Sequence, residues 1–160
     1  MGEASEDAVL PRAYLVVLDG SVEARVALRF AARRAAKTGG TLEMLTIVEP
    51  AEFVQWAGVQ DAIEEEARLG AEALLHQAAG EIVDELGLKP TLTVRHGEPL
   101  RAIRALLEER PGIAALVLGA QAAGGPGPLV THFAGEAGQM PCPLMIVPGG
   151  LDDEALDRLS

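Results

Sequence analysis

Hydrophobic residues follow two different patterns along this chain, and segments with one pattern alternate with segments with the other. This alternation predicts strands separated by helices. Short, continuous apolar runs are typical of buried strands, whereas apolar residues spaced three and four apart indicate helices with one buried face. The predicted strands are Tyr14–Leu18, Thr41–Val48, Pro90–His96, Ile113–Leu118 and Pro143–Val147. Strands that alternate with helices predict one α/β domain with a mostly parallel, doubly wound sheet.

Four amphipathic helices are predicted between these strands. The first follows Asp19-Gly20-Ser21 and reaches Lys37, the second runs from Asp61 to Leu86, the third begins at Pro99 and ends before Pro111, and the fourth runs from Leu129 to Gln139. Ser21 is interpreted as the N-terminal residue of its helix, Asp61 with Glu64 resembles a capping pair, and Gly39 and Gly87 end helices. Residues 51–59, with Phe53 and Trp56, are interpreted as a short helical lid.

The apolar faces of three helices follow from this spacing. We expect inward positions at Val22, Val26, Ala27, Phe30, Ala31 and Ala35 in the first helix, at Ile63, Ala67, Leu74, Ala78 and Ile82 in the second, and at Leu129, Val130, Phe133, Ala134 and Ala137 in the fourth. The predicted organisation is an N-terminal tail over 1–12, one domain over 13–149, and an acidic tail over 150–160 that either forms a short helix or stays loose.

Charge and composition disfavour nucleic acids and membranes as binding partners. The chain has 160 residues with a net charge of −11, which repels nucleic acid and anionic lipid. Basic residues cluster only in the first helix, where Arg25, Arg29, Arg33, Arg34 and Lys37 are interpreted as a solvated face. No apolar run is long enough to span a bilayer, and residues 1–7 do not resemble a signal peptide. The single cysteine, Cys142, is interpreted as packed structure, and we expect a cytoplasmic protein.

The most informative stretch is a loop from Gly119 to Thr131, between a predicted strand and a predicted helix. Backbone N–H groups at such a place attract phosphates. Yet no Lys or Arg occurs from Pro111 to Asp157, and Pro126 and Pro128 cannot donate hydrogen bonds. Phosphates would then depend on N–H groups at Gly127, Leu129, Val130 and Thr131, the Thr131 hydroxyl and a charged His132. Alternatively, the loop is a rigid entry to the helix, with Thr131 as a cap.

Enzyme motifs are missing from the sequence. His76, His96 and His132 lack the spacing of metal ligands, no GxSxG motif is present, and no GxGxxG fingerprint follows the first strand. We therefore predict neither a metal site nor catalytic residues.

Five short motifs, in their order along the chain, resemble the universal stress protein family. They are Leu15-Val-Val-Leu-Asp-Gly-Ser21, Leu45-Thr-Ile-Val-Glu-Pro50, His96-Gly97-Glu98-Pro99, Leu116-Val-Leu-Gly119 and Pro143-Leu-Met-Ile-Val-Pro148. The resemblance implies a five-stranded parallel sheet of order 3-2-1-4-5, of the type found in adenine nucleotide alpha hydrolases. It also implies a dimer and a stress-linked binding or regulatory role rather than a dedicated enzyme.

The resemblance also implies a nucleotide site. ATP-binding members place an acidic residue and an apolar residue around adenine, at positions that match Asp19 and Val48. Of their glycine motif this chain keeps Gly119, while Ala122 replaces the next glycine and either His132-Phe133 or Val130-Thr131 replaces the closing Gly-Ser. The candidate nucleotide-binding residues are Asp19, Val48, Gly119, Gly124, Gly125, Gly127, Val130 and Thr131.

Two functions remain open at this point. The first is binding of an adenine nucleotide, such as ATP or AMP, without rapid turnover. The second is a ligand-free interaction module that forms a dimer and docks partner proteins. For the dimer we expect the last strand to pair with its copy, because Leu144, Met145, Ile146 and Val147 form an apolar run at the predicted sheet edge.

Overall fold

Five parallel strands form the central sheet in the computed structural model, which describes residues 12–50 and 56–160. The strands are β1 (Ala13–Val17), β2 (Thr41–Val48), β3 (Thr91–His96), β4 (Ile113–Ala120) and β5 (Leu144–Pro148). Their order is β3-β2-β1-β4-β5, so the predicted fold class and strand order are confirmed. β1 pairs with β2 on one side and β4 on the other, and the direction of winding therefore reverses at β1.

Helices cover both faces of this sheet. They are α1 (Val22–Thr38), α2 (Ala57–Leu86), α3 (Pro99–Glu109), α4 (Pro128–Gly135) and α5 (Asp153–Leu159), with a 3-10 turn at Ala137–Gln139. Alternate residues of β1 face opposite layers: Tyr14 and Val16 pack with α1, α2 and α5, whereas Leu15 and Val17 pack with α3 and α4. The sheet is thus buried on both sides, as a parallel sheet requires.

Local signals in the sequence account for several helix ends. The Ser21 hydroxyl accepts a hydrogen bond from the Ala24 N–H at 3.2 Å and caps α1, as predicted. Glu98 caps α3 by accepting from the N–H groups of Leu100 and Arg101, and these two bonds hold the pKa of its carboxyl below the usual value. Gly39 and Gly87 end α1 and α2 with φ of 67° and 69°, the left-handed conformation that glycine adopts without strain.

The start and the buried face of α2 differ from the prediction. The helix begins at Ala57 rather than Asp61, so Asp61 and Glu64 are not a capping pair, and the N-cap position is Trp56. Part of the predicted lid, residues 51–55, lies outside the described residues. Farther along α2, the predicted Ile82 is buried, and the predicted Leu74 and Ala78 pack half-buried against the same core, whereas Ile63 is 42% exposed. The buried Ala71, Leu75 and Ala79 were not predicted. In this alanine-rich helix small residues occur on neighbouring stripes, so the spacing alone did not identify the stripe that packs on the sheet.

Three smaller expectations were wrong. Val22 lies in the first turn of α1 and is 71% exposed, so it does not belong to the buried face of the helix. Ala134 and Ala137 are exposed, since α4 ends at Gly135 and the 3-10 turn follows. β4 continues through Gly119 and Ala120, so Gly119 is a strand residue rather than the first residue of the loop.

The acidic C-terminal tail forms α5, which packs against α1. Leu156 is 1% exposed in the same hydrophobic cluster as the inward face of α1. Arg29 lies 3.3 Å from a carboxylate oxygen of Asp153, and the Lys37 ammonium donates to the Asp157 carbonyl at 2.5 Å. Arg29 and Lys37 are nonetheless 43% and 45% exposed, so the interpretation of the basic stripe as a solvated face holds at these positions. Because the ion pairs are exposed, burial of Leu156 contributes more to this contact than they do.

None of the helices within 12–50 and 56–160 combines the length and apolar character that crossing a bilayer requires.

Candidate functional site

A cleft of about 530 Å³ opens at the carboxyl ends of the central strands. The ends of β1 and β2 form its floor, α2 forms one wall, and the first residues of α3 and α4 complete the rim. Ligand sites in doubly wound sheets lie at this edge, and pockets that hold small molecules have about 300–1,000 Å³. The cleft therefore has the position and size of a small-molecule site.

Asp19 and Val48, predicted from separate motifs, both line this cleft. Asp19 is separated from the end of β1 by Leu18. One of its carboxylate oxygens accepts the Ser21 N–H at 2.9 Å, which fixes the side chain in the turn before α1. Val48 is the last residue of β2 and is 7% exposed. The arrangement combines an apolar floor with an acceptor at the rim, which suits a flat, polar-edged group such as a base or a sugar.

Thr46 is a buried polar residue in the wall of the same cleft. It is 6% exposed, and its hydroxyl oxygen has no hydrogen-bond partner within the described part of the chain. An unsatisfied buried hydroxyl is costly. A ligand or water in the cleft would relieve that cost after rotation of the side chain about its Cα–Cβ bond.

A smaller cavity of about 70 Å³ adjoins the cleft on the side of the glycine loop. Asp19, Pro128 and Leu129 line both cavities, whereas Glu23 and Gln121 line only the smaller one. A volume of this size holds only a few water-sized groups. It leaves little enclosed room for a chain of phosphates.

Gly119 lies at this smaller cavity, but its missing side chain is explained by packing inside the protein. A Cβ at Gly119 would lie 2.0 Å from the carbonyl oxygen of Glu23 in α1. The glycine is therefore required for the close approach of β4 to α1. The expectation that it lets the backbone approach a ligand lacks support from this geometry.

The three loop glycines have positive φ, at 80° for Gly124, 96° for Gly125 and 95° for Gly127, as their sequence pattern predicts. Gly127 lines the smaller cavity, whereas Gly124 and Gly125 are exposed and line neither cavity. The loop thus brings only its last glycine to the candidate site.

Val130 and Thr131 contribute less than the sequence suggests. The Val130 side chain is 5% exposed and packs in the core, so it does not face the candidate site. Only the backbone of Val130, in the first turn of α4, is left as a candidate ligand contact. The Thr131 hydroxyl donates to the Gly127 carbonyl at 2.9 Å, one turn earlier. Thr131 is therefore not an N-cap, and the N-cap position belongs to Gly127, which has no capping side chain.

Both cavities lack cationic side chains among the described residues. Neither is lined by Lys or Arg, and Arg25 lies in a separate depression with Leu18 and Gly20. His132, which was expected near the phosphates, lies 3.3 Å from the Glu136 carboxylate, which also pairs with Arg104 at 2.6 Å. Among the described residues, no lysine or arginine in the cavity walls therefore offsets the negative charge of Asp19.

A reactive thiol and a metal site are two further features that would give the protein catalytic chemistry. Burial raises the pKa of the Cys142 thiol, which disfavours the reactive thiolate. Within the residues that the structure describes, no three or more His, Cys, Asp or Glu side chains are grouped in a way that could hold a metal ion.

The sequence analysis missed the wall that α2 provides. Ala67, Gly70, Ala71 and Leu74 line the cleft from this helix. Their spacing of three and four residues places small side chains on one stripe, and this was the available signal. Glu23 and Gln121 were also missed, because their place at the smaller cavity depends on how α1 and the loop pack against β4.

Comparisons with known proteins agree with this architecture. The model of the universal stress protein family matches residues 12–148. Comparison with curated proteins finds no match. The universal stress protein UspA from Lactobacillus plantarum is similar in structure, with a TM-score of 0.72 and 18% identity over 86% of this chain and 98% of that one.

Similar structures include complexes with cAMP, dAMP and AMP, and the last two illustrate the degree of similarity. One is the universal stress protein from Archaeoglobus fulgidus in complex with dAMP, with a TM-score of 0.56 and 19% identity over 87% of this chain and 98% of that one. The other is a universal stress protein family protein from Arabidopsis thaliana with AMP bound, with a TM-score of 0.56 and 15% identity over 86% and 92%. At these identities the similarity establishes the fold alone.

Proposed function

Because the chain belongs to the universal stress protein family, we propose that it is a cytoplasmic regulatory protein that binds an adenine nucleoside or nucleotide in the cleft at the ends of β1 and β2. The observation that carries this proposal is the joint position of Asp19 and Val48 in a cleft of about 530 Å³. The complexes of two similar proteins with dAMP and AMP support the choice of an adenine ligand.

The base and the sugar supply most of the affinity in this proposal. The apolar floor around Val48 suits the adenine ring, and the Asp19 carboxylate at the rim suits an amino or hydroxyl donor. The phosphates, by contrast, meet a small cavity without a lysine or arginine, beside a loop in which Pro126 and Pro128 lack N–H groups. Without these positive charges and hydrogen-bond donors, the site cannot stabilise the transition state of phosphoryl transfer. The proposed role is therefore binding rather than catalysis.

We expect adenosine, AMP and ATP to bind within about tenfold of one another, a span of about 1.4 kcal/mol. Asp19→Ala should weaken all three ligands by a similar factor, because a carboxylate at the base or sugar does not sense the number of phosphates. Isothermal titration of each ligand into the wild type and the variant, with and without magnesium, measures both effects.

The matched control is Asp152→Ala. Asp152 caps α5 by accepting the Ala155 N–H at 2.8 Å, so its loss removes a turn carboxylate away from both cavities. Its ligand affinities should equal those of the wild type. A preference for ATP over adenosine of about a thousandfold, about 4 kcal/mol, would contradict the proposed distribution of affinity. If none of the three binds, the second function below is favoured.

The second candidate is a dimeric interaction module, favoured by the surface beside β5. β5 is an edge strand, Ile146 is 44% exposed, and a groove of about 410 Å³ runs between the strand, Phe30 of α1 and Leu159 of α5. An exposed apolar edge strand favours pairing with another strand. In this proposal two copies pair through β5, and other proteins dock on the dimer.

Ile146→Asp should convert a dimer into a monomer, because it places a charge in the middle of the paired edge. Light scattering at micromolar protein concentration measures the mass of the wild type and of the variant. Val83→Asp is the control, since Val83 is exposed to a similar degree, 42%, on α2. A monomeric wild type, or a variant that stays dimeric, would count against this interface.

A further inference from the structure

Glu23 is fixed at the smaller cavity by two close backbone approaches. A Cβ at Gly119 would lie 2.0 Å from the carbonyl oxygen of Glu23. A Cβ at Gly149 would lie 2.7 Å from the Cβ of Glu23. Gly149 also donates its N–H to the Ala120 carbonyl at 2.8 Å. The end of β4 and the turn after β5 thus hold the first turn of α1 between them. Residue 23 has little freedom to move away from the cavity that it lines.

The charge of Glu23 is not offset locally. It forms no ion pair within residues 12–50 and 56–160. Glu23 is also the acidic residue in the first turn of α1, where Ser21 already caps one N–H group. The positive end of this helix dipole, which attracts anions in other proteins, is therefore partly neutralised by the protein's own carboxylate.

A phosphate chain leaving the cleft toward the glycine loop would enter the smaller cavity, which Glu23 lines. A carboxylate and a phosphate carry charges of the same sign and repel each other, most strongly at low ionic strength. Asp19 also lines the larger cleft, whereas Glu23 does not. The two carboxylates therefore affect different parts of a ligand.

We propose that Glu23 is a specificity-determining residue that disfavours polyphosphate ligands, so that this site selects adenine nucleosides and monophosphates over ATP. This inference rests on the proposed function, because it concerns ligands of the same cleft. The selected class is neutral or singly phosphorylated, and the residue acts on the phosphates without affecting the base.

Glu23→Gln is the direct test, since it keeps the side-chain size and removes the charge. Isothermal titration in EDTA should show ATP binding to the variant about tenfold tighter than to the wild type, about 1.4 kcal/mol, with adenosine affinity unchanged. Glu154→Gln is the matched control. Glu154 lies in the acidic first turn of α5, at the same position relative to its N-cap, and lines neither cavity. Its affinities for both ligands should equal those of the wild type.

The outcomes separate this inference from the function on which it rests. If adenosine binds to the wild type and Glu23→Gln leaves ATP affinity unchanged, the selectivity role is wrong and the nucleoside site stands. If magnesium strengthens ATP binding to the wild type and the variant loses that gain, Glu23 holds the cation of Mg-ATP and does not exclude phosphates. If no adenine ligand binds to the wild type, both proposals fail.

Discussion

Gly119→Ala should lower the free energy of unfolding by about 3 kcal/mol or more, the largest effect that we expect from a single methyl group in this chain. The added Cβ would lie 2.0 Å from the carbonyl oxygen and 2.4 Å from the carbonyl carbon of Glu23. Both are backbone atoms of α1, so no side-chain rotation removes the clash. β4 and α1 would have to separate, and the core between them would lose contacts. Urea unfolding followed by circular dichroism measures the change.

Gly80→Ala is the control for this substitution. Gly80 lies inside α2, and nothing lies within 4 Å of a Cβ placed there. Alanine is favoured over glycine in a helix interior, so this variant should be more stable than the wild type by about 0.5–1 kcal/mol. If Gly119→Ala were as stable as the wild type, the close packing of β4 on α1 would be wrong.

The fold was largely predictable because its determinants are local. Buried parallel strands need continuous apolar runs, such as Ile113–Leu118 within β4, and Thr41–Val48 was predicted with the bounds that β2 has. Helix ends need particular residues, which explains the success at Ser21, Gly39 and Gly87. The start of α2 was missed because its N-cap position, Trp56, makes no side-chain cap and gives no signal.

The rest depends on contacts between distant parts of the chain. The acidic partners of the basic stripe on α1 were not predicted, because Asp153 and Asp157 reach it only after the tail folds back. The role of Gly119 depends on Glu23, and no spacing rule connects the two. The lining of the cleft was predictable where the end of a strand places a residue close to it, as with Asp19 and Val48. It was not predictable on the α2 wall, which forms by packing.

Gly70→Trp should weaken adenosine binding by at least about a hundredfold, about 2.7 kcal/mol. Gly70 lines the cleft from α2, and nothing lies within 4 Å of a Cβ built on it. The Cβ of the new residue therefore meets no other atoms, and the indole is placed at the cleft, where we expect it to occupy the space that the base needs. Tryptophan is also a better helix former than glycine, so the variant should remain folded.

The central claim is that the cleft between β1, β2 and α2 holds an adenine nucleoside. Calorimetric titration of adenosine into the wild type, Gly70→Trp and Gly80→Trp tests it most directly. Gly80 lies in the same helix but lines neither cavity. The account predicts equal affinity for the wild type and Gly80→Trp, with binding to Gly70→Trp weaker by at least about a hundredfold. Equal affinity in all three proteins, or no saturable binding to the wild type, would contradict it.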